Sequence, residues 1–227
     1  MGFTLDQVVP WGRNLEEYRR MFSLTDDDLA SKVLGCADGP ASVNAELYEQ
    51  GRAYVSLDPI YQFSARQIRE RVVTTTPIIA KQLEENRADY QWGYYASPRH
   101  LVQARRAAMD TFLRDFKQHR TSQRYVTGSL PTLPFADQCF DLVLCSHCLF
   151  TYSAQLDKAL DQQAMLEMCR VGREVRVFPL LALNGEPSCH LPDVLDFLEE
   201  HNILTELVTV DYEFQKGGNQ LLIMKTP

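Results

Sequence analysis

The chain has 227 residues, of which 45% are hydrophobic and 10% aromatic, and its formal net charge is −7. This length and apolar content predict one compact domain over residues 1–227 rather than a disordered chain. No apolar run approaches the roughly 20 residues of a membrane-spanning helix, and the acidic balance disfavours a general nucleic-acid-binding protein. The N-terminal residues lack the layout of a secretory signal, so we expect a cytoplasmic protein.

The N-terminal segment, residues 1–30, is predicted to be helical. Asn14 and Thr25 are each followed three residues later by a carboxylate, which is the pattern of a helix start with a capping box. Two short helices are therefore expected before the first strand.

The next segment has the pattern of a nucleotide-binding unit. Residues 32–35 predict a buried strand, residues 41–50 a helix, and residues 53–57 a second strand that ends at Asp58. Such an order makes one βαβ unit of a parallel sheet, with small residues in a tight turn that lets backbone amides approach a ligand. Asp58 is placed to accept both hydroxyls of a ribose, or else to cap the turn at Pro59.

Residues 62–122 form an insertion that is longer than one crossover helix requires. The pattern predicts a helix over 64–73, an interruption at 74–76, a new helix start at Pro77, and a further helix from Ser97-Pro98. More than one helix therefore separates the second strand from the third.

The centre of the insertion, with Trp92, Tyr94 and Tyr95, is the candidate lid over a binding site. The insertion holds 11 Lys and Arg against 6 Asp and Glu, whereas the rest of the chain holds 12 against 24. This local excess of positive charge favours an anionic substrate, or else it reflects solvated helix faces.

The C-terminal half predicts the remaining strands of the sheet. Its pattern ends in two strands joined by Lys-Gly-Gly-Asn, which is a hairpin signal. The expected strands are 124–127, 141–145, 174–179, 204–214 and 220–225, and the expected helices are 154–169 and 191–202. We therefore predict a mostly parallel sheet that finishes in a hairpin.

The six cysteines are expected to be thiols rather than disulfides. Cys145-Ser-His-Cys148 has the spacing of a metal or redox pair, but a zinc site needs two further ligands at suitable spacing. We therefore expect no metal site.

A second motif gives the chain a resemblance to a known family. The segment Leu133-Pro-Phe-Ala-Asp-Gln-Cys-Phe-Asp-Leu-Val-Leu-Cys145 and the segment Glu167-Met-Cys-Arg-Val171 resemble two stretches of class I S-adenosylmethionine-dependent methyltransferases. The likeness is greatest to the branch that methylates quinones and other small molecules. The order and spacing match over nearly all of residues 30–180, and the terminal hairpin fits the antiparallel last strand of that family.

The resemblance implies a Rossmann-like α/β sandwich with a mostly parallel seven-stranded sheet, an antiparallel last strand and a helical insertion between strands two and three. It also implies S-adenosylmethionine as the cofactor. Carried over residue by residue, it predicts contacts with the cofactor's methionine, ribose, adenine and methyl-bearing parts. These residues are Gly35, Ala37, Asp38 and Gly39, then Asp58, Pro59 and Ile60, then Ser129 and Leu130, and finally Ser146 and His147.

The glycine-rich turn departs from the family pattern in two ways. Ala37 replaces a usual glycine, and alanine suits the turn as long as its φ stays negative. The family's acid two residues before Gly35 is here Val33, and a reading shifted by two residues puts Gly35 on the acid position. Both registers remain open at the level of sequence.

Two further residues are candidates for a chemical role. His147 is the candidate general base, or it contacts the cofactor without taking a proton. Arg13 is expected to pair with the methionine carboxylate, or to lie on the surface. Tyr61, Trp92, Tyr95 and Tyr152 are candidates for the acceptor pocket, or plain core residues.

We expect methyl transfer to a small-molecule acceptor. The alternatives are a cofactor- or partner-binding protein of the same fold without catalysis, and a nicotinamide-dependent oxidoreductase, which shares only the first motif. Cys145-Ser-His-Cys148 stands where base-methylating members carry an Asn-Pro-Pro-Tyr-like sequence, which disfavours methylation of amino groups on nucleic-acid bases.

Overall fold

The computed structural model describes residues 10–151, 153 and 157–226. Seven strands form one sheet in the order β3-β2-β1-β4-β5-β7-β6. The strands are β1 (Val33–Cys36), β2 (Tyr54–Leu57), β3 (Tyr125–Val126), β4 (Phe140–Ser146), β5 (Gly172–Phe178), β6 (Leu204–Thr209) and β7 (Gln220–Lys225). The helices are α1 (Leu15–Met21), α2 (Asp26–Ala30), α3 (Val43–Glu49), α4 (Ala65–Glu85), α5 (Pro98–His119), α6 (Lys158–Val171) and α7 (Leu191–Glu200), with short 3₁₀ turns at Pro59–Gln62 and Arg87–Asp89.

The sheet is mostly parallel and has an antiparallel last strand, as the sequence predicted. β1 pairs in parallel with β2 and β4, β2 with β3, and β4 with β5, whereas β7 is antiparallel to both β5 and β6. Both long insertion helices, α4 and α5, lie between β2 and β3. The predicted fold class, with its antiparallel last strand and helical insertion, is confirmed.

The chain order places a natural binding position at the centre of the sheet. From β1 the chain proceeds outward to β2 and β3, and it then returns to lay β4 and β5 on the other side. The connections that leave the carboxyl ends of β1 and β4 therefore diverge to opposite sides. In open α/β sheets this divergence leaves a crevice at the carboxyl edge, where ligands bind.

The two faces of the sheet bury separate clusters because strand side chains alternate. On β1 and β4, Cys36 and Cys145 belong to the cluster shared with α6 and α7, and Val33 and Leu144 belong to the cluster shared with α1. Strands buried on both faces are typical of parallel sheets covered by helices. Within the part of the chain that the structure describes, no helix is both long and apolar enough to cross a bilayer.

Both predicted N-terminal helix starts carry a complete capping box. The Asn14 side chain accepts from the Glu17 amide, and Thr25 does the same for Asp28, with the return bonds also present. Helix α1 buries Leu15, Glu17, Tyr18 and Met21. A charged residue on this buried face already indicates a partner inside the protein.

The predicted interruption at 74–76 is wrong, because α4 runs unbroken through Pro77. The buried stripe continues across the proline at regular helical spacing, through Ile68, Val72, Thr75, Ile79 and Leu83. Pro77 itself is exposed, and so is Val73, whose carbonyl loses its partner. Water can hydrate a carbonyl on the outer face, so packing of the inner stripe outweighs the missing hydrogen bond.

The last two strands are not joined by a tight hairpin at Lys-Gly-Gly-Asn, as predicted. β6 ends at Thr209, opposite Gln220, and residues 210–219 form a longer connection. The alternating apolar residues in this connection made it resemble a strand. Tyr212 instead donates to Glu17 and Phe214 stacks on Tyr90, so the alternation reflects tertiary contacts.

A buried ion pair links three parts of the molecule. Arg105 of α5 donates to Glu17 of α1, both side chains being 1% exposed, and the Tyr212 hydroxyl donates to the same carboxylate at 2.9 Å. Burial favours a raised pKa for Glu17, but Arg105 and Arg13 hold that pKa below its ordinary value. The carboxylate is therefore charged and joins α1, α5 and the 210–219 connection.

We predict that Arg105→Ala lowers the free energy of unfolding by about 3–5 kcal/mol, because it leaves Glu17 as a buried charge without a partner. Arg106→Ala is the matched control, since Arg106 is the exposed neighbour on the same helix and its loss is expected to change stability by at most about 0.5 kcal/mol. Urea denaturation of both variants measures the difference. Equal stabilities would show that the pair is dispensable.

Candidate cofactor-binding site

A cavity of about 710 Å³ opens at the carboxyl edge of β1, β2 and β4. This size is within the range of pockets that enclose a small ligand. Nine of the predicted site residues contribute to its wall. They are Arg13, Ala37, Asp38, Gly39, Asp58, Pro59, Ile60, Ser146 and His147.

The glycine-rich turn begins at Ala37, directly after β1. Gly35 lies inside the strand, opposite Ser56 of β2, and both Ala37 and Gly39 have positive φ, +56° and +57°. The turn therefore takes the register in which Gly35 occupies the acid position. The condition under which alanine suits the turn, a negative φ, is not met at Ala37. The chain reverses there while the Ala37 amide donates to the Leu57 carbonyl at 2.8 Å.

Asp38 supplies a carboxylate at the place where the family carries its acid. Its side chain turns back over Gly35, where an added Cβ would lie 2.1 Å from Asp38 Oδ2. It accepts hydrogen bonds from Ser56 at 2.7 Å and Tyr18 at 2.9 Å, and a longer one from Tyr54 at 3.3 Å. Burial raises the pKa of Asp38 to about 6. This carboxylate holds the turn, and it ties the turn to α1 through Tyr18.

Asp58 caps the turn at Pro59 and also lines the cavity. One carboxylate oxygen caps the turn at Pro59 by accepting from the Ile60 amide, and the other accepts from the Gly39 amide, each at 2.8 Å. Burial raises the pKa of Asp58 to about 6. Two amides leave about half of a carboxylate's acceptor positions for further donors, and the residue lines the cavity.

Ser146 and His147 end β4 on the same cavity. His147 has a positive φ of +54°, its amide donates to the Phe178 carbonyl at 2.8 Å, and its Nδ1 lies 2.7 Å from Ser146 Oγ. Burial, with the cations Arg13 and Arg105, lowers the pKa of His147 well below its usual value. The imidazole is therefore neutral at pH 7.

Arg13 is half-buried in the cavity wall rather than exposed on the surface. Its backbone is anchored to the glycine-rich turn, because the Ser42 amide donates to the Arg13 carbonyl at 2.9 Å. Its Nε is buried and has no hydrogen-bond partner among the described residues. Glu17 already pairs with Arg105, so two guanidinium groups share one carboxylate. Glu17 therefore compensates only part of the positive charge of Arg13 and Arg105.

Other predicted contacts lie away from the cavity wall. Gly35 is inside β1, Leu130 packs against the main core cluster, and Ser129 pairs with Thr132 across a short turn. The aromatic centre of the insertion, Trp92, Tyr94 and Tyr95, packs behind the wall against Phe214 and Tyr212. Tyr61 is a buried support whose hydroxyl donates to the Gly39 carbonyl, and Tyr152 lies outside the described residues.

Several wall residues were not predicted. Arg105 carries a detectable signal, because it lies on the apolar stripe of α5 between Leu101 and Phe112. A cation on such a stripe indicates a buried partner or a site. Leu181 and Phe214 carry no such signal, since they reach the cavity from distant connections.

The basic excess of the insertion is mostly solvated. Arg66 pairs with Glu70 and Arg69 with Asp110 on exposed faces, and only Arg71 and Arg105 of the described insertion cations line the cavity. The six cysteines are free. Among the described residues, no cluster of metal-ligating side chains is present.

The two segments that resemble methyltransferases form one structural unit. Glu167 accepts from the Leu133 amide at 2.7 Å, and Arg170 donates to the Phe135 carbonyl at 2.9 Å. Arg170 also pairs with Asp137 and Glu167. The end of α6 therefore holds the loop that leads into β4, which explains why the two motifs occur together.

Solved methyltransferase structures are similar to this chain at low sequence identity. The methyltransferase domain of bacterial CtHen1 matches 88% of this chain and 93% of its own, with 11% identity and a TM-score of 0.49. The mitomycin 7-O-methyltransferase MmcR matches 94% of this chain and 54% of its own, with 13% identity and a TM-score of 0.49. A SAM-dependent methyltransferase from Aquifex aeolicus matches 92% and 90%, with 11% identity and a TM-score of 0.43.

Sequence comparison decides the family. The chain is 32% identical over 222 residues, 97% of each chain, to MJ0045 of Methanocaldococcus jannaschii, whose function is uncharacterised. A family model described as "Methyltransferase domain" matches residues 105–174, which include β3, β4 and α6. The chain belongs to the class I S-adenosylmethionine-dependent methyltransferases. The predicted family and its cofactor are confirmed, and the matched residues of this methyltransferase contain both segments that carried the resemblance.

We predict that Ala37→Gly stabilises this methyltransferase by about 1 kcal/mol, because a left-handed backbone costs a non-glycine residue about that much. Ala107→Gly is the control at an exposed position of α5, where glycine is expected to destabilise by about 1 kcal/mol. Thermal unfolding of both variants shows whether each substitution raises or lowers the stability. A loss of stability in both would contradict the positive φ at Ala37.

Proposed function

We propose that this methyltransferase binds S-adenosylmethionine in the cavity at the carboxyl edge of the sheet and transfers its methyl group to a small-molecule acceptor. The supporting observation is a convergence. The turn after β1, Asp58 after β2 and Ser146-His147 after β4 come from three separate elements, and all line one cavity. Family membership indicates the cofactor, and the volume of the cavity, about 710 Å³, favours a small acceptor.

The residues present fit the cofactor's functional groups. Asp58 has acceptor positions for two ribose hydroxyls, and Pro59 and Ile60 offer apolar contact beside it. Arg13 is a half-buried cation whose buried Nε has no partner among the described residues. A carboxylate such as that of the methionine moiety would compensate this charge.

Bound S-adenosylmethionine supplies an electrophilic methyl group on a sulfonium, which an acceptor atom takes up in line. The protein's part is to position the acceptor and exclude water. An acceptor hydroxyl or thiol also has to lose a proton. His147 is neutral and lines the cavity, so we propose that its ring accepts this proton. The contact with Ser146 Oγ fixes the orientation of the ring.

One observation favours the alternative of cofactor binding without catalysis. Burial and the nearby cations Arg13 and Arg105 lower the pKa of His147, which makes it a weak base. Compensation of Arg13 by the cofactor's carboxylate would remove part of that effect. Release of S-adenosylhomocysteine from labelled cofactor, in the presence of a small-molecule cell extract, distinguishes the two functions, because a binding protein releases none.

We predict that S-adenosylhomocysteine raises the melting temperature and that NAD and NADP do not. Asp58→Ala is expected to raise the Kd of S-adenosylhomocysteine by about ten- to a hundredfold, because the ribose loses a charged hydrogen-bond acceptor. Calorimetric titration measures the change. Stabilisation by a dinucleotide alone would overturn the proposed function, and an unchanged Kd in the variant would limit Asp58 to capping its turn.

We predict that Arg13→Gln weakens S-adenosylhomocysteine by about ten- to a hundredfold, the loss expected when a charged hydrogen bond is removed. The same substitution should leave the Kd of 5′-methylthioadenosine unchanged, because that ligand has no carboxylate. The second ligand is the matched control, because both share the adenosine and the sulfur. Equal weakening of the two ligands would mean that Arg13 supports the fold of the site rather than a carboxylate.

A further inference from the structure

The cavity has a second, apolar part that the cofactor residues do not form. Helix α4, the chain after its end, the segment after β5 and the 210–219 connection supply this wall. Its side chains are Ile79, Leu83, Tyr90, Leu181, Leu183 and Phe214. None of these elements belongs to the turn, strand ends or acids assigned to the cofactor.

The apolar wall is held together by direct contacts. Tyr90 stacks on Phe214 with ring centroids 4.7 Å apart and an interplanar angle of 20°. The Gln91 amide donates to the Phe214 carbonyl at 2.7 Å, and Tyr90 forms a β-bridge with Gln215. Gln215 also reaches the Leu183 carbonyl at 3.4 Å. The insertion and the 210–219 connection therefore form one continuous part of the cavity wall.

The charges that line the cavity disfavour a cation in this part. Among the described wall residues the carboxylates are Asp38 and Asp58. Asp38 is occupied by hydroxyl donors, and Asp58 belongs to the cofactor's ribose position. The described cations of the wall are arginines, and Arg105 lies beside the 210–219 connection through its Glu17–Tyr212 link. A positively charged acceptor would have no carboxylate of the described apolar wall to pair with.

We propose that the acceptor is a flat aromatic molecule, neutral or anionic, bound between α4 and the 210–219 connection. This inference rests on the proposed function, since it assigns the remaining part of the same cavity to the acceptor. Aromatic and aliphatic side chains bind a flat ring through contact area and ring stacking. A cation would lose its hydration there without a carboxylate to compensate it, whereas Arg71 and Arg105 line the same cavity and favour an anion.

Helix α4 offers a matched pair of positions for the test. Leu83 is 3% exposed on the inner face and lines the cavity, whereas Ile78 is 56% exposed on the outer face of the same helix. Aspartate at Leu83 brings a negative charge to the wall, and aspartate at Ile78 brings the same charge to solvent. Leu181→Asp repeats the inner substitution on a different element in case Leu83→Asp does not fold.

The probes are the aromatic anion 1-anilinonaphthalene-8-sulfonate and the aromatic cation thioflavin T, titrated by fluorescence into protein saturated with S-adenosylhomocysteine. We expect the anion to bind one site per chain and the cation to bind at least about tenfold more weakly, a ratio that corresponds to about 1.4 kcal/mol. Leu83→Asp should weaken binding of the anion by about tenfold or more, and Ile78→Asp should leave the affinity for the anion unchanged.

Three results would overturn the acceptor assignment. They are equal or tighter binding of the cation, an anion affinity that Leu83→Asp and Leu181→Asp leave unaltered, and displacement of the anion by S-adenosylhomocysteine, which would place the dye in the cofactor position. The separate S-adenosylhomocysteine titration keeps the two proposals distinguishable. If that ligand binds and the dye results fail, the acceptor inference is wrong while the proposed function stands.

Discussion

The buried carboxylate of Glu17 is the interaction on which the walls of the cavity depend. It lies on α1, pairs with Arg105 of the insertion and accepts from Tyr212 of the 210–219 connection. These three elements are far apart in sequence, and each contributes to the cavity wall. Because one carboxylate serves Arg105 while Arg13 stands close by, the same cluster also sets the charge of the site. Removal of Glu17 would affect shape and electrostatics together.

The two aspartates of the site lower the stability of the fold at neutral pH when no ligand is bound. Burial raises the pKa of Asp38 and Asp58 to about 6. A carboxyl whose folded pKa is raised stabilises the fold at acid pH, and this contribution is lost as pH rises through about 6. His147 has the opposite effect on stability. Because its pKa is lowered in the folded protein, it stabilises the fold at pH values above the ordinary pKa of histidine. Hydrogen-bond donors on a bound ligand would stabilise the charged form of the aspartates, so ligand binding is expected to stabilise the fold.

The candidate site was predictable where the chemistry follows the end of a strand. Ala37, Asp58, Ser146 and His147 line the cavity because the carboxyl ends of parallel strands meet at one edge. The register of the turn was not predictable, since both readings place small residues near a tight turn. Only strand pairing puts Gly35 inside β1, and only the folded loop brings Asp38 back over it. The sequence also could not show that Trp92, Tyr94 and Tyr95 pack behind the cavity wall, because aromatic side chains fit a core as well as a pocket.

The sequence by itself determined the local features: capped helix starts at Asn14 and Thr25, the helix start at Ser97-Pro98, the order of strands and the two family motifs. Each depends on neighbours within a few residues, so composition and spacing reveal it. Only the tertiary structure decided that α4 continues through Pro77, that β6 stops at Thr209, and that Arg105 meets Glu17 across 88 positions. In each of these cases the free energy of packing or of a buried charge outweighs a local preference, and that energy exists only when distant segments are in contact.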